Sequence, residues 1–162
     1  MIRFFVNCLY FCPVTLIFTQ DLMNTQALND TLLNLLSKRF ALREMGYDHP
    51  GYDDAEETLE ALEDDFVDEY GDEFEDILQR VHANFCPDTD VLLPTAYLPR
   101  TQYEKVINEE TGLEEFEIGP GDGVWVTLKD FPNLDAKMVL LPSPPRLEIL
   151  SMGGSQEVWR AE

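Results

Sequence analysis

The sequence predicts an α+β fold: an N-terminal antiparallel helical hairpin packed on a small antiparallel β-meander or barrel. Three observations predict it. Apolar residues recur at helical spacing through residues 24–84. From residue 91 onward, short apolar runs alternate with turn signals. Helical segments come first and strands afterwards, without the βαβ alternation of a parallel sheet. At 162 residues, a length that suits one domain, the chain reads as a single α+β domain over 23–162, helical over 24–84 and strand-rich over 91–162.

Residues 1–22 stand apart. They are apolar and aromatic, with one early base at Arg3. Three readings compete. A secretory signal would use Phe4 to Phe18 as its apolar stretch, yet no small-x-small cleavage site ends the run, and Asn7 and Pro13 interrupt it. A membrane anchor would need roughly 20 apolar residues, and the run is shorter. The third reading places the true start at Met23, directly before the first helix, and makes the extension a start-site artefact.

The first helix is expected over residues 24–46. Asn24 or Thr25 can cap its start by accepting from free backbone N–H groups. Leu28, Leu32, Leu35, Leu36 and Phe40 share one face, with Leu33 and Leu42 at its edges. Lys38, Arg39 and Arg43 lie in the second half, where positive charge suits the helix dipole. Gly46 is expected to end the helix in a left-handed conformation.

A turn follows around His49-Pro50-Gly51. The second helix is expected from about Asp54 to Asn84, with Asp53 and Glu56 at a loose capping-box spacing. Its stripe is Leu59, Leu62, Phe66, Tyr70, Phe74, Ile77 and Val81, every step three or four. Gly71 interrupts this helix, costs about 1 kcal/mol relative to Ala, and marks a place for a bend or break. Two amphipathic helices joined by a short turn make an antiparallel hairpin.

Six strands are expected after it: 102–107, 114–118, 124–128, 137–141, 147–150 and 157–160. The turns between them are Glu110-Thr111-Gly112, Gly119 to Gly123, Pro132-Asn133, Pro142 to Pro145 and Gly153-Gly154. Trp125 and Trp159 fall in strands and read as core or edge packing. Val91-Leu92-Leu93-Pro94 recurs as Val139-Leu140-Leu141-Pro142, followed by Pro99-Arg100 and Pro145-Arg146 respectively. Two short copies do not make a repeat architecture.

Charge is the unusual property. There are 32 acids against 11 bases, a formal net charge of -21. Residues 53–76 carry 14 acids and no base, two-thirds of that net charge. Such a surface repels nucleic acid and anionic lipid, whose binding rests on Lys and Arg. A partner found through charge is therefore basic, or a cation. No direct nucleic-acid binding is expected, and no membrane association unless residues 1–22 are an anchor. The expected location is cytoplasmic, changing to secreted or anchored if residues 1–22 are a targeting segment. Cys8 and Cys12 lie in that extension, leaving Cys86 alone and without an intramolecular disulfide partner, which favours a reducing compartment.

Each catalytic or metal motif lacks a necessary residue. Placing Gly71 sixth in a calcium loop puts Phe66 first. His82 and Cys86 are four apart, but His49 is the only other histidine, so a zinc site falls short of ligands. A Cys86–His82 nucleophile pair has no third orienting group, and Phe85 and Pro87 flank a thiol that reads as buried and structural. The glycines at 119, 121 and 123 precede a strand and no phosphate-binding helix. No catalytic residue, metal ligand or cofactor is assigned.

The function expected is a non-catalytic acidic interaction protein. It would bind a basic partner through Asp64, Asp65, Asp68, Glu69, Asp72 and Glu73 on the second helix. Two alternatives stand beside it: a small metal-dependent or carboxylate-based hydrolase, and a nucleic-acid mimic inhibitor.

Overall fold

The computed structural model describes residues 23–100, 104–107, 112, 114–117 and 122–162. The readings of residues 1–22, of the turn at Glu110-Thr111, of the loop at 119–121 and of Gln102 and Ile118 fall outside the described residues.

Two helices open the fold, α1 over Thr25–Glu44 and α2 over Tyr52–Phe85. Asn24 caps α1, its side-chain oxygen accepting from the Ala27 N–H at 3.1 Å. Its other end departs from expectation. Met45 is the C-cap, and its N–H donates to the Leu42 carbonyl at 3.0 Å. This tight turn closes the helix before Gly46, which is absent from the positive-φ glycines. Beyond it, the His49 N–H donates to the Gly46 carbonyl at 2.9 Å, which closes a turn over residues 46–49.

The start of α2 departs too. Tyr52 N–H donates to His49 O at 3.0 Å, and Gly51 N–H to the His49 ring Nδ1 at 3.1 Å. These bonds carry the chain into the helix at Tyr52, with Gly51 as N-cap and no side-chain capping bond. Asp53 therefore sits inside the first turn. Its backbone is already helical, so it cannot form the capping box with Glu56. It still complements the positive end of the helix dipole, as Asp54 does. Gly71 neither ends nor divides α2, which runs 34 residues as one helix.

The helices run antiparallel. Arg39 near the end of α1 meets Glu63 in the first half of α2, across the short loop 45–51 that joins the two helices. The sequence stripes meet in the interface. Leu28, Leu32, Leu35 and Leu36 face Leu59, Phe66, Tyr70 and Phe74 within one core. Each fully buried Leu or Phe contributes about 1.5–3 kcal/mol.

The strands form two open antiparallel sheets. Among the described residues, β1 (Glu104–Ile107) pairs only with β2 (Glu114–Glu117). The other four, β3 (Val124–Val126), β4 (Ala136–Leu141), β5 (Arg146–Ser151) and β6 (Gly154–Arg160), form a meander in chain order. This is the expected meander and not a closed barrel. β6 begins three residues before the expected Glu157, because Ser151 pairs Gly154 directly and the hairpin turn needs only Met152 and Gly153. A bulge at Leu147/Glu148 then shifts the register. At the start of β3, Gly123 has φ 96°, and a Cβ there would lie 2.5 Å from the Met138 carbonyl oxygen. Only glycine lets the two strands approach this closely.

The hairpin packs on the meander. Phe74 meets Trp159 edge to face, with ring centroids 5.6 Å apart. The Ser143 N–H donates to the Asn29 side chain at 2.7 Å, and Lys129 N–H caps the final-turn carbonyl of Phe85 at 2.9 Å. No helix among the described residues is long and apolar enough to cross a membrane.

Candidate functional site

On a helix, successive side chains turn by about 100°. The buried residues of α2 therefore cluster on one side, and the acids of 53–76 spread over the opposite half-cylinder. The core thus places the acidic face: burying Leu59, Phe66, Tyr70, Phe74 and Ile77 turns the acids outward. Asp64, Asp65, Asp68, Glu69, Asp72 and Glu73 are all exposed. None of the six forms an ion pair among the described residues.

One acid behaves differently. Glu63 lies four residues after Leu59 and three before Phe66, within the buried stripe. It is half-buried, and its carboxylate accepts from Arg39 Nη2 at 2.5 Å. Arg39 in turn lies three after Leu36 and four after Leu35, on the core face of α1. The pair was legible in those spacings, since each residue continues its own helix's apolar stripe. Lys38 and Arg43 do not join it. Lys38 is exposed, and Arg43 Nη1 donates to the Arg100 carbonyl at 2.7 Å. Of the bases on α1, Arg39 alone pairs with the acidic run among the described residues.

Like charges three and four apart on a helix cost a few tenths of a kcal/mol each. Asp65–Glu69, Glu69–Glu73 and Asp72–Asp76 are such pairs. The helix tolerates them because tertiary burial, rather than local propensity, holds it.

The histidine and cysteine near the end of α2 are structural. His82 is buried; its Nδ1 lies 2.9 Å from the Thr89 carbonyl oxygen and its Nε2 3.0 Å from the Tyr97 hydroxyl. Both ring nitrogens are thus engaged: Nδ1–H donates to the carbonyl, and the tyrosine hydroxyl donates to Nε2. Tyr97 Oη also accepts from the Leu92 N–H at 3.1 Å. Cys86 is the C-cap of α2, and burial pushes its thiol up to about 11. A thiol so protonated is a poor nucleophile at neutral pH.

The tryptophans take the two forms of packing expected of them. Trp159 is half-buried against Phe74. Trp125 lies on the edge strand β3, exposed, with Lys137 Nζ 4.4 Å from its ring centroid. Among the described residues, no group of three or more His, Cys, Asp or Glu side chains stands close enough to hold a metal ion. No family model, curated protein or solved structure matches the chain.

Proposed function

We propose that the chain is a non-catalytic interaction protein that binds a basic protein partner through the outer face of α2. The observation that supports this reading is the exposure of Asp64, Asp65, Asp68, Glu69, Asp72 and Glu73 on a helix held rigid by its opposite face. A basic partner would relieve the repulsion among these acids, and the fixed helix would present them without an ordering cost.

The unbroken course of α2 through Gly71 favours one special case, an inhibitor that occupies the basic groove of a nucleic-acid-binding protein. The acids of 53–76 extend about 36 Å along the axis. That gives one negative charge per roughly 2.6 Å, against roughly 1.7 Å of axis for B-DNA.

The test is capture of partners on the immobilised chain, with a salt titration and a six-fold neutral variant (Asp64, Asp65, Asp68 and Asp72 to Asn, Glu69 and Glu73 to Gln). The expected partner is basic, is lost between low and moderate salt, and is absent from the variant. A partner kept equally by the variant would refute the assignment of this face.

A further inference from the structure

Away from the acidic face, the fold gathers positive charge. A cleft of about 600 Å³ is lined by Arg39, Arg43, Arg100, Leu92, Leu93 and Ala96, with Thr95 between them. Three of the 11 bases in the chain meet here. Arg39 is committed to the framework: Nη2 pairs with Glu63, and Nη1 points at the Thr95 and Leu98 carbonyls at 3.4 and 3.5 Å.

The other two arginines are differently placed. Arg43 donates from Nη1 alone to the Arg100 carbonyl, which leaves Nε and Nη2 uncommitted among the described residues. The Arg100 guanidinium has no partner among them either. Its backbone, however, is held on both sides. The Arg100 N–H donates to the buried Asp122 carboxylate at 3.1 Å, while its carbonyl accepts from Arg43. The fold fixes the root of Arg100 and leaves its head open to the cleft. The apolar wall is fixed in the same way, with Leu92 N–H on the Tyr97 hydroxyl and the Leu93 carbonyl accepting from Ala96 N–H at 2.9 Å. Both leucine side chains nevertheless remain exposed.

Two planar guanidiniums beside an aliphatic wall recognise a carboxylate carried on an apolar body. The charge of the whole chain narrows this further. A field of -21 repels polyanions at long range, so nucleic acid and anionic membranes are poor occupants. A single carboxylate incurs little of that repulsion and gains the local pair. The cleft is open, with its leucines at its rim, so a long alkyl chain would stay wet along most of its length. A short branched side chain would be covered. We infer that this cleft binds the C-terminal carboxylate of a peptide ending in an aliphatic residue, the carboxylate on Arg43 and Arg100 and the terminal side chain on Leu92 and Leu93.

The test is fluorescence anisotropy on the full chain with an N-terminally labelled hexapeptide ending in Leu-Leu. The free acid should bind, and its C-terminal amide should bind at least about tenfold more weakly, as should the acid to Arg100→Ala. Arg160→Ala, a change in the β6 pair with Glu157, should leave the affinity unchanged. Raising the salt should leave the affinity level or tighten it, because screening removes the long-range repulsion more than the short local contact. This is the opposite sign to that expected of the α2 face, so failure of either site is read independently. Equal binding of acid and amide, undiminished binding to Arg100→Ala, or no binding at millimolar protein would overturn the inference. Competition by decanoate as strong as by unlabelled peptide would overturn the peptide terminus as occupant.

Discussion

The tetrapeptide Val-Leu-Leu-Pro occurs at 91–94 and again at 139–142, and a Pro-Arg pair follows each copy. The copies meet opposite fates. In the first, Val91, Leu92 and Leu93 are 36%, 46% and 63% exposed, outside either sheet. Pro94 then opens a short 3₁₀ helix, Pro94–Tyr97. In the second, Val139, Leu140 and Leu141 are all 0% exposed within β4, and Pro142 enters the turn to β5. The difference lies in what adjoins each copy. The second is flanked by a returning strand that pairs Val139 with Glu148, Leu140 with Leu147 and Leu141 with Arg146. The first follows the end of α2 by only a few residues and has no strand partner among the described residues. Local β-propensity is the same in both, so pairing and burial decide the outcome.

The two arginines sharpen the contrast most. Arg146 is buried, with Nε on the Glu148 carboxylate at 2.6 Å and Nη1 on the Pro142 and Pro144 carbonyls at 3.0 and 3.3 Å. It ties the turn after the second copy to β5. Arg146→Ala would leave the Glu148 carboxylate and both carbonyls without their partner, at an expected cost of about 3–5 kcal/mol. Arg100→Ala removes an exposed guanidinium and should change stability by less than about 0.5 kcal/mol. Urea unfolding of the two variants checks this, and equal losses would erase the distinction between the copies.

That contrast also marks how far the sequence could be read. Periodicity located both helices, because Leu28 through Leu36 and Leu59 through Val81 are repeated at the period of a helix that buries one face. The sequence also located all six strands, from short apolar runs set between turn residues rather than from alternation, since β4 is buried at nearly every position. It did not separate the β1–β2 pair from the meander, since partner choice is not a local property. It also assigned the ends of the hairpin loop wrongly. Gly46 and Asp53 have the residue types of a C′ position and an N-cap, but the bonds from His49 to Gly46, Gly51 and Tyr52 reshaped the loop and displaced both roles. Of the candidate site, the outward acids followed from the stripe, as did the exceptional Glu63. The arginine cleft did not. Arg43 and Arg100 are 57 residues apart, and only the fold joins them.

Leucines provide the next test. Leu140→Ala should cost about 2–5 kcal/mol, because the methyl groups leave a cavity between α-helical core and sheet. Leu93→Ala should cost less than about 0.5 kcal/mol, since its side chain already meets water. Thermal unfolding of both proteins measures the difference. A large loss at Leu93 would show that the first copy is covered in solution and that its exposure is not the basis of a cleft wall.

The smallest effect addresses how the first copy keeps its shape without a ladder. Its backbone is tethered through one donor, the Leu92 N–H, to a hydroxyl that also donates to His82. Tyr97→Phe keeps the buried ring and deletes that hydroxyl, leaving the Leu92 N–H and His82 Nε2 without it. The expected loss is about 1–3 kcal/mol, toward the lower end because the Leu92 amide is only part-buried and water can replace its partner. The more specific readout is hydrogen exchange. The Leu92 amide should exchange faster in Tyr97→Phe, while the amides of Leu140 and Leu141 keep their rates, because the β4–β5 ladder does not pass through Tyr97. Unchanged exchange at Leu92 would mean that the first copy is held by its side chains after all. The two copies would then differ in degree of burial and not in the kind of interaction that positions them.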